Sequence, residues 1–142
     1  MNERYIFRGR RIDNGEWVYG HYAFHPSAIC GGVHRIYLRP KDPDDLHGYF
    51  YVDSATIGQC TKLKDKNGEL IFEGDILRYK TGASGSVDGY VSVSWSNGAW
   101  VIELTKDDKY HLYQCLTSWE LEVIGTLHDT PELERQAMTN ER

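Results

Sequence analysis

Several things are scarce in this 142-residue chain, and each scarcity excludes a class of protein. Proline occurs four times, too seldom for a polyproline linker or a low-complexity spacer. The three cysteines, Cys30, Cys60 and Cys115, form no closely spaced pair. Their odd number argues against a disulfide framework and for free thiols in a reducing compartment. No window comes near the ~20 consecutive apolar residues of a membrane helix. The opening MNERYIFRGRR is basic but lacks the apolar segment of a secretory signal. A protein of the cytoplasm, off the membrane, is the expectation. Positive charge is also short: 16 Lys and Arg against 21 Asp and Glu, net −5. That balance excludes indiscriminate binding to phosphate backbones. There is no G-x-S-x-G, no H-E-x-x-H, no glycine-rich phosphate loop and no solenoid repeat.

Aromatic residues and glycines are plentiful: ten Tyr, four Trp and fourteen Gly. Aromatic residues in alternation, punctuated by glycine turns, favour strands. Gly58 to Tyr79 is the best-defined stretch. Asp65-Lys66-Asn67-Gly68 predicts a type I turn closed by a glycine bulge, with Leu63 opposite Ile71. Glu73-Gly74-Asp75 then re-aims the chain, and an aspartate after glycine is expected to bond the backbone that follows it. Asn97-Gly98 predicts a two-residue hairpin pairing Trp95 with Trp100, Val93 with Ile102 and Val91 with Leu104 on one face. The three tryptophans Trp95, Trp100 and Trp119 read as core.

A further two-residue turn at Asn14-Gly15 would pair Phe7 with Tyr22 and Tyr5 with Phe24. The second face of that hairpin carries Arg8, Arg10, Trp17, Tyr19 and His21. Short strands are expected at 35–38, 48–53, 110–115 and 121–127, with flexible or charged loops at 81–89 and 106–109. Thr130-Pro131 signals a short C-terminal helix. Together these predict a mainly β protein with three parts. Residues 1–55 form an N-terminal hairpin and loop subdomain. Residues 56–130 form a small SH3-like or partly open barrel. Residues 131–142 form a short helix or disordered tail.

The motif GQ-x-T-x-L-x-D-x-x-G-x-x-I-F-E-G-D-I-L (58–77) is followed by Glu122-Val123-Ile124-Gly125 and Pro131-Glu132-Leu133. With the opening Arg4-Tyr5-Ile6-Phe7-Arg8-Gly9 and Trp17-Val18-Tyr19-Gly20, the sequence resembles the YopX family of phage and prophage proteins, over nearly its whole length. It departs from that family at Cys60, where an aromatic residue is commoner, at Lys62, where glycine is, and at Thr126, where asparagine is. The resemblance implies a bacterial host cytoplasm and brings no agreed activity.

Three groups of residues were candidates for chemistry. His21, His25, Cys30 and His34 are ligand types that zinc accepts, as are His111 and Cys115. Residues four apart in a strand lie ~13 Å from each other, so no metal and no cofactor is expected. Glu73, Asp75 and Asp65 read as turn geometry, so the enzyme class stays open with the missing motifs weighing against it. The Arg8, Arg10, Trp17, Tyr19 and His21 face can grip phosphates and stack bases, make contacts within the fold, or dock a protein. The acidic balance favours protein. The expectation is a non-enzymatic accessory protein that binds phage or host proteins or copies of itself. A single-stranded nucleic-acid binder is the first alternative and a small enzyme the second.

Overall fold

The computed structural model describes residues 6–38, 48–81, 87–103, 109–130 and 132, and the side chains of 81, 87 and 88 are not among the described atoms. It is mainly β, with eleven strands, a short α-helix and a 3-10 turn at Ser54–Thr56 among these residues. The chain divides into two compact units, Met1–Cys60 and Thr61–Arg142. The Tyr5, Leu104, 106–108 and C-terminal helix expectations lie outside the described residues.

The first unit is a curled antiparallel sheet in the order β4-β3-β2-β1-β5. Its strands are β1 (Phe7–Arg10), β2 (Trp17–His25), β3 (Val33–Tyr37), β4 (Tyr49–Tyr51) and the start of β5 (Gly58–Lys64). An isolated Arg11–Val52 bridge ties the end of β1 back to the end of β4. Ile36 and Val52, fully buried, fill the inside of the curl. So tight a curl needs a residue without a side chain at Gly20, where a Cβ would lie 2.0 Å from the Tyr37 carbonyl oxygen.

The first hairpin corrects the expected register. Phe7 pairs with Gly20 and Arg10 with Trp17, two residues away from the pairing that a turn centred on Asn14-Gly15 would set. A two-residue type I′ turn needs positive φ at both central positions, and here only Gly15 has it, at 74°. Asn14 Oδ1 instead accepts the Glu16 N–H, and Arg11 closes a four-residue loop through bonds with Gly15 and Glu16. A shift of two preserves the side-chain alternation, so the predicted faces survive. Phe7 and Tyr22 still meet, diagonally, with ring centroids 5.6 Å apart.

In the second unit β6 (Leu70–Phe72) follows the end of β5 across the predicted bulged turn: Asp65 and Glu69 are bonded, and Gly68 has φ 83°. Five further strands form an open sheet in the order β10-β9-β8-β7-β11, so the partly open alternative holds and the barrel is not closed. They are β7 (Asp75–Thr81), β8 (Val87–Ser96), β9 (Ala99–Glu103), β10 (Lys109–His111) and β11 (Glu120–Thr126). Asn97 and Gly98 both have positive φ, and Trp95 pairs with Trp100 and Val93 with Ile102, as expected. Val91, Val93, Ile102, Leu77 and Ile71 make the core with Leu112, Cys115 and Leu121. Trp95 is not part of it. Two residues from the turn, it lies past the end of the core and is 55% exposed, edge-on to Trp100.

Two element expectations give way. The strand foreseen over 110–115 ends at His111, and α1 (Leu112–Ser118) takes its place. Leu112, Cys115, Leu116 and Trp119 recur at helical spacing, which buries Leu112 and Cys115 against the sheet. The loop foreseen over 81–89 gives way at both ends, where β7 reaches Thr81 and β8 starts at Val87, which pairs with Thr81; 82–86 lie outside the described residues. Asp75 also acts differently. Its Oδ2 accepts the N–H of Phe72, three residues earlier, and so closes the turn from its far side. Gly74, at φ 88°, supplies the positive φ this turn requires.

Candidate functional site

Side chains alternate along a strand, so the pairings of the first unit decide which residues share a surface. Arg8 lies opposite Tyr19, and Arg10 opposite Trp17. His21 lies opposite Tyr37 and Ala23 opposite Arg35. Arg35 in turn pairs with Tyr51, and Tyr37 with Tyr49. The outer face of the curl therefore carries arginine, tyrosine, histidine and tryptophan across four strands, with Ala23 among them.

All five residues singled out in the sequence fall on this face. Arg8 and Arg10 both stack on Trp17, with guanidinium carbons 4.8 and 5.3 Å from the ring centroid. Arg8 is only 5% exposed, so its charge serves the face from within. Tyr19 and His21 are exposed. The sequence reading missed the half supplied by β3 and β4: Arg35, Tyr37, Tyr49 and Tyr51. The signal was present in the alternations Arg35-x-Tyr37 and Tyr49-x-Tyr51, but nothing local says that these strands lie beside β2.

Arg35 is the electrostatic centre of that half. Its guanidinium lies 4.6 Å from the Tyr49 ring centroid and 5.3 Å from that of Tyr51, and it donates to the Tyr37 hydroxyl at 3.2 Å. Among the described residues no carboxylate stands within ion-pair distance of it. The described carboxylates of this unit are engaged elsewhere: Asp13 and Glu16 with Arg11, and Asp53 with the N–H of Ala55. The Tyr49–Tyr51 hydrogen bond holds the Tyr51 hydroxyl below its ordinary pKa, helped by the charge of Arg35, and the same bond raises Tyr49. Tyr37's hydroxyl similarly holds Arg35 in its charged form.

Beside β4 lies a groove of about 970 Å³, lined by Arg10 to Asp13, Gly15, Gly32 to His34 and Tyr49 to Ser54. Arg11 lies over the Phe50 ring at 3.9 Å and grips Asp13 at 2.6 Å, which raises the arginine's pKa and lowers the aspartate's.

Two of the candidate ligand histidines are engaged by tyrosines. His34 Nδ1 lies 2.7 Å from the Tyr22 hydroxyl, and His25 Nε2 lies 3.1 Å from that of Tyr37. Cys30 is exposed in the β2–β3 loop, its pKa lowered by hydrogen bonding with the Ser27 side chain and the Gly32 backbone. Among the described residues no three His, Cys, Asp or Glu side chains are placed to hold a metal ion. No described helix is long and apolar enough to cross a membrane.

The model of the YopX protein family matches residues 6–134. The chain belongs to the YopX family. The crystal structure of protein yopX from Bacillus subtilis is similar to it in fold, with a TM-score of 0.56 at 18% identity over 92% of this chain and 98% of that one. No curated protein matches the chain.

The departures from the usual YopX pattern have local explanations. Lys62 has φ 68°, in the left-handed region that glycine enters without strain. Thr126 Oγ1 accepts the N–H groups of His128 and Asp129, as an asparagine side chain can. Cys60 is buried at 1% exposure, where a larger aromatic ring would need more room.

Proposed function

We propose that this YopX-family protein acts by binding rather than by catalysis, that its partners are proteins, copies of itself included, and that the outer face of the first unit is the contact surface. One observation carries the reading. Of the ten large apolar side chains exposed among the described residues, seven lie in the first unit: Ile12, Tyr19, Phe24, Ile29, Leu38, Tyr49 and Tyr51. Three of them, Tyr19, Tyr49 and Tyr51, share the outer face with Trp17 and Arg35, whereas Phe24 alternates to the other face and Ile29 lies in the β2–β3 loop. Tyrosine, tryptophan and arginine are the residues that dominate interface energetics. The charge distribution agrees. Residues 1–60 hold seven basic and seven acidic side chains, whereas 61–142 hold nine and fourteen, so the aromatic surface belongs to the neutral unit. A phage or prophage accessory role in a bacterial cytoplasm is part of this proposal and rests on the family resemblance.

The test is a triple variant, Tyr19→Ser/Tyr49→Ser/Tyr51→Ser, compared with wild type by sedimentation velocity. All three side chains are exposed, so the variant is expected to keep its fold, checked by circular dichroism, and to lose association.

Arg35 favours a second reading. A guanidinium resting on two exposed tyrosines, with no carboxylate beside it among the described residues, is also suited to a single nucleic-acid strand. That reading expects retention of an oligothymidylate at low salt, weakened by added salt and lost in Arg10→Ala/Arg35→Ala. No retention at about 20 mM salt eliminates it. The enzyme alternative draws least support. The groove residues with displaced pKa values, Arg11, Asp13, Tyr49 and Tyr51, are accounted for by one surface ion pair and one tyrosine pair.

A further inference from the structure

Among the described residues β4 is an edge strand, and its outer edge, bonded in part by Ile12, borders the groove. The Val52 N–H bonds to the His34 carbonyl and the Leu38 N–H to the Gly48 carbonyl, so the even-numbered backbone groups of this strand face β3. Those of Tyr49 and Tyr51 therefore face the other way. There the Tyr51 carbonyl takes the Ile12 N–H at 3.0 Å, but the loop Asp13–Gly15 then leaves β4. Among the described residues nothing bonds the N–H and C=O of Tyr49 or the N–H of Tyr51, which face the groove that this loop and β4 both line.

We infer that this edge captures an extended segment of a partner protein, added as a further strand beside Tyr49–Tyr51, in which acidic and apolar residues alternate. The inference rests on reading the first unit as the protein-binding unit. Three features fix the chemistry. The edge offers donors and an acceptor in a strand's spacing, which a peptide backbone matches and a phosphate backbone, having acceptors only, does not. Ile12 already lies opposite Tyr51, so the added strand pairs at Tyr49, and a residue opposite Tyr49 shares the face where Arg35 lies over both tyrosine rings with no carboxylate in ion-pair distance among the described residues. A glutamate or aspartate there completes a charge-assisted pair. A residue opposite Phe50 shares the other face with Phe50 and Val52, which both line the groove, so an apolar side chain matches it.

The experiment titrates the full ¹⁵N-labelled chain with a blocked seven-residue peptide alternating valine and glutamate. Two control peptides accompany it, one with lysine in place of glutamate and one N-methylated at alternate amides. The expected result is that shifts concentrate at the Tyr49 and Tyr51 amides and the Arg35 side chain. Both control peptides bind about tenfold more weakly, the loss of one charge-assisted or main-chain hydrogen-bond set. Arg35→Gln lowers affinity for the glutamate peptide by a similar factor while leaving the unbound Tyr49 and Tyr51 amides in place. Equal binding of the N-methylated peptide, shifts centred elsewhere, stronger displacement of the same amides by oligothymidylate, or no binding at about 2 mM overturns the inference. If the peptide fails while the tyrosine variant still abolishes self-association, only the strand-addition inference falls. If both fail, the first unit is not the binding unit.

Discussion

Asp65 is the residue on which most of the second unit's local geometry converges. Its Oδ1 accepts the N–H groups of Asn67 and Glu69, and its Oδ2 accepts that of Val123, 58 residues away. One carboxylate thus shapes the β5–β6 turn and pins it to β11. Asp65→Ala leaves three N–H groups without their charged acceptor and is expected to cost about 3 kcal/mol, with Asp65→Asn costing roughly half of that, read as a change in urea midpoint at constant slope. Lys62 works in the opposite sense. Its φ of 68° strains a residue with a Cβ, so Lys62→Gly is expected to stabilise the protein by about 0.5–1 kcal/mol in the same assay. The cysteines differ in reach. Cys30 is exposed with a lowered pKa, Cys60 is buried, and Cys115 is buried with its pKa raised by desolvation. A thiol reagent at neutral to mildly alkaline pH should therefore modify one thiol quickly and the other two only on unfolding, and Cys30→Ser should remove the fast phase. The turn role of Asp65 was readable in Asp-Lys-Asn-Gly, whereas its bond to Val123 was not, because sequence shows the turn but not which strand passes beside it.

Among the elements, α1 and the first hairpin show where local pattern stops being sufficient. The residues 110–115 contain aromatic and apolar side chains that suit a strand, and the competing helical spacing of Leu112, Cys115, Leu116 and Trp119 wins because it places two of them in the core. Leu112→Ala should cost about 3 kcal/mol through the cavity it opens, whereas Tyr113→Ala on the exposed side of the same helix should cost under about 0.5 kcal/mol, both measured by thermal or urea unfolding. The Asn97-Gly98 and Asn14-Gly15 hairpins carry the same dipeptide and differ in outcome. In the former both residues enter positive φ and the register follows from the turn. In the latter, the Asn14 side chain bonds Glu16 and Arg11 grips Asp13, so a wider loop forms and the register moves by two. The faces were legible because they depend only on alternation. The register was not, because it depended on side-chain bonds within the loop. The same limit applies to the candidate site: the β1–β2 half was readable, and the Arg35–tyrosine half needed the placement of β3 and β4.

For the whole molecule, the two units, Met1–Cys60 and Thr61–Arg142, differ in core and in surface. Residues 61–142 hold the larger apolar core and all of the net negative charge. Residues 1–60 hold a small core around Ile36 and Val52 and most of the exposed aromatic and aliphatic surface among the described residues. Surface of that kind is costly to leave in water, at about 25 cal/mol per Å², which is the driving force proposed for association. Sedimentation velocity of wild type and Tyr19→Ser/Tyr49→Ser/Tyr51→Ser, from about 10 μM to about 1 mM, tests this most directly. The account predicts a sedimentation coefficient that rises with concentration for wild type and stays monomeric for the variant. A wild-type chain that remains monomeric throughout, or an association the variant leaves unchanged, contradicts it.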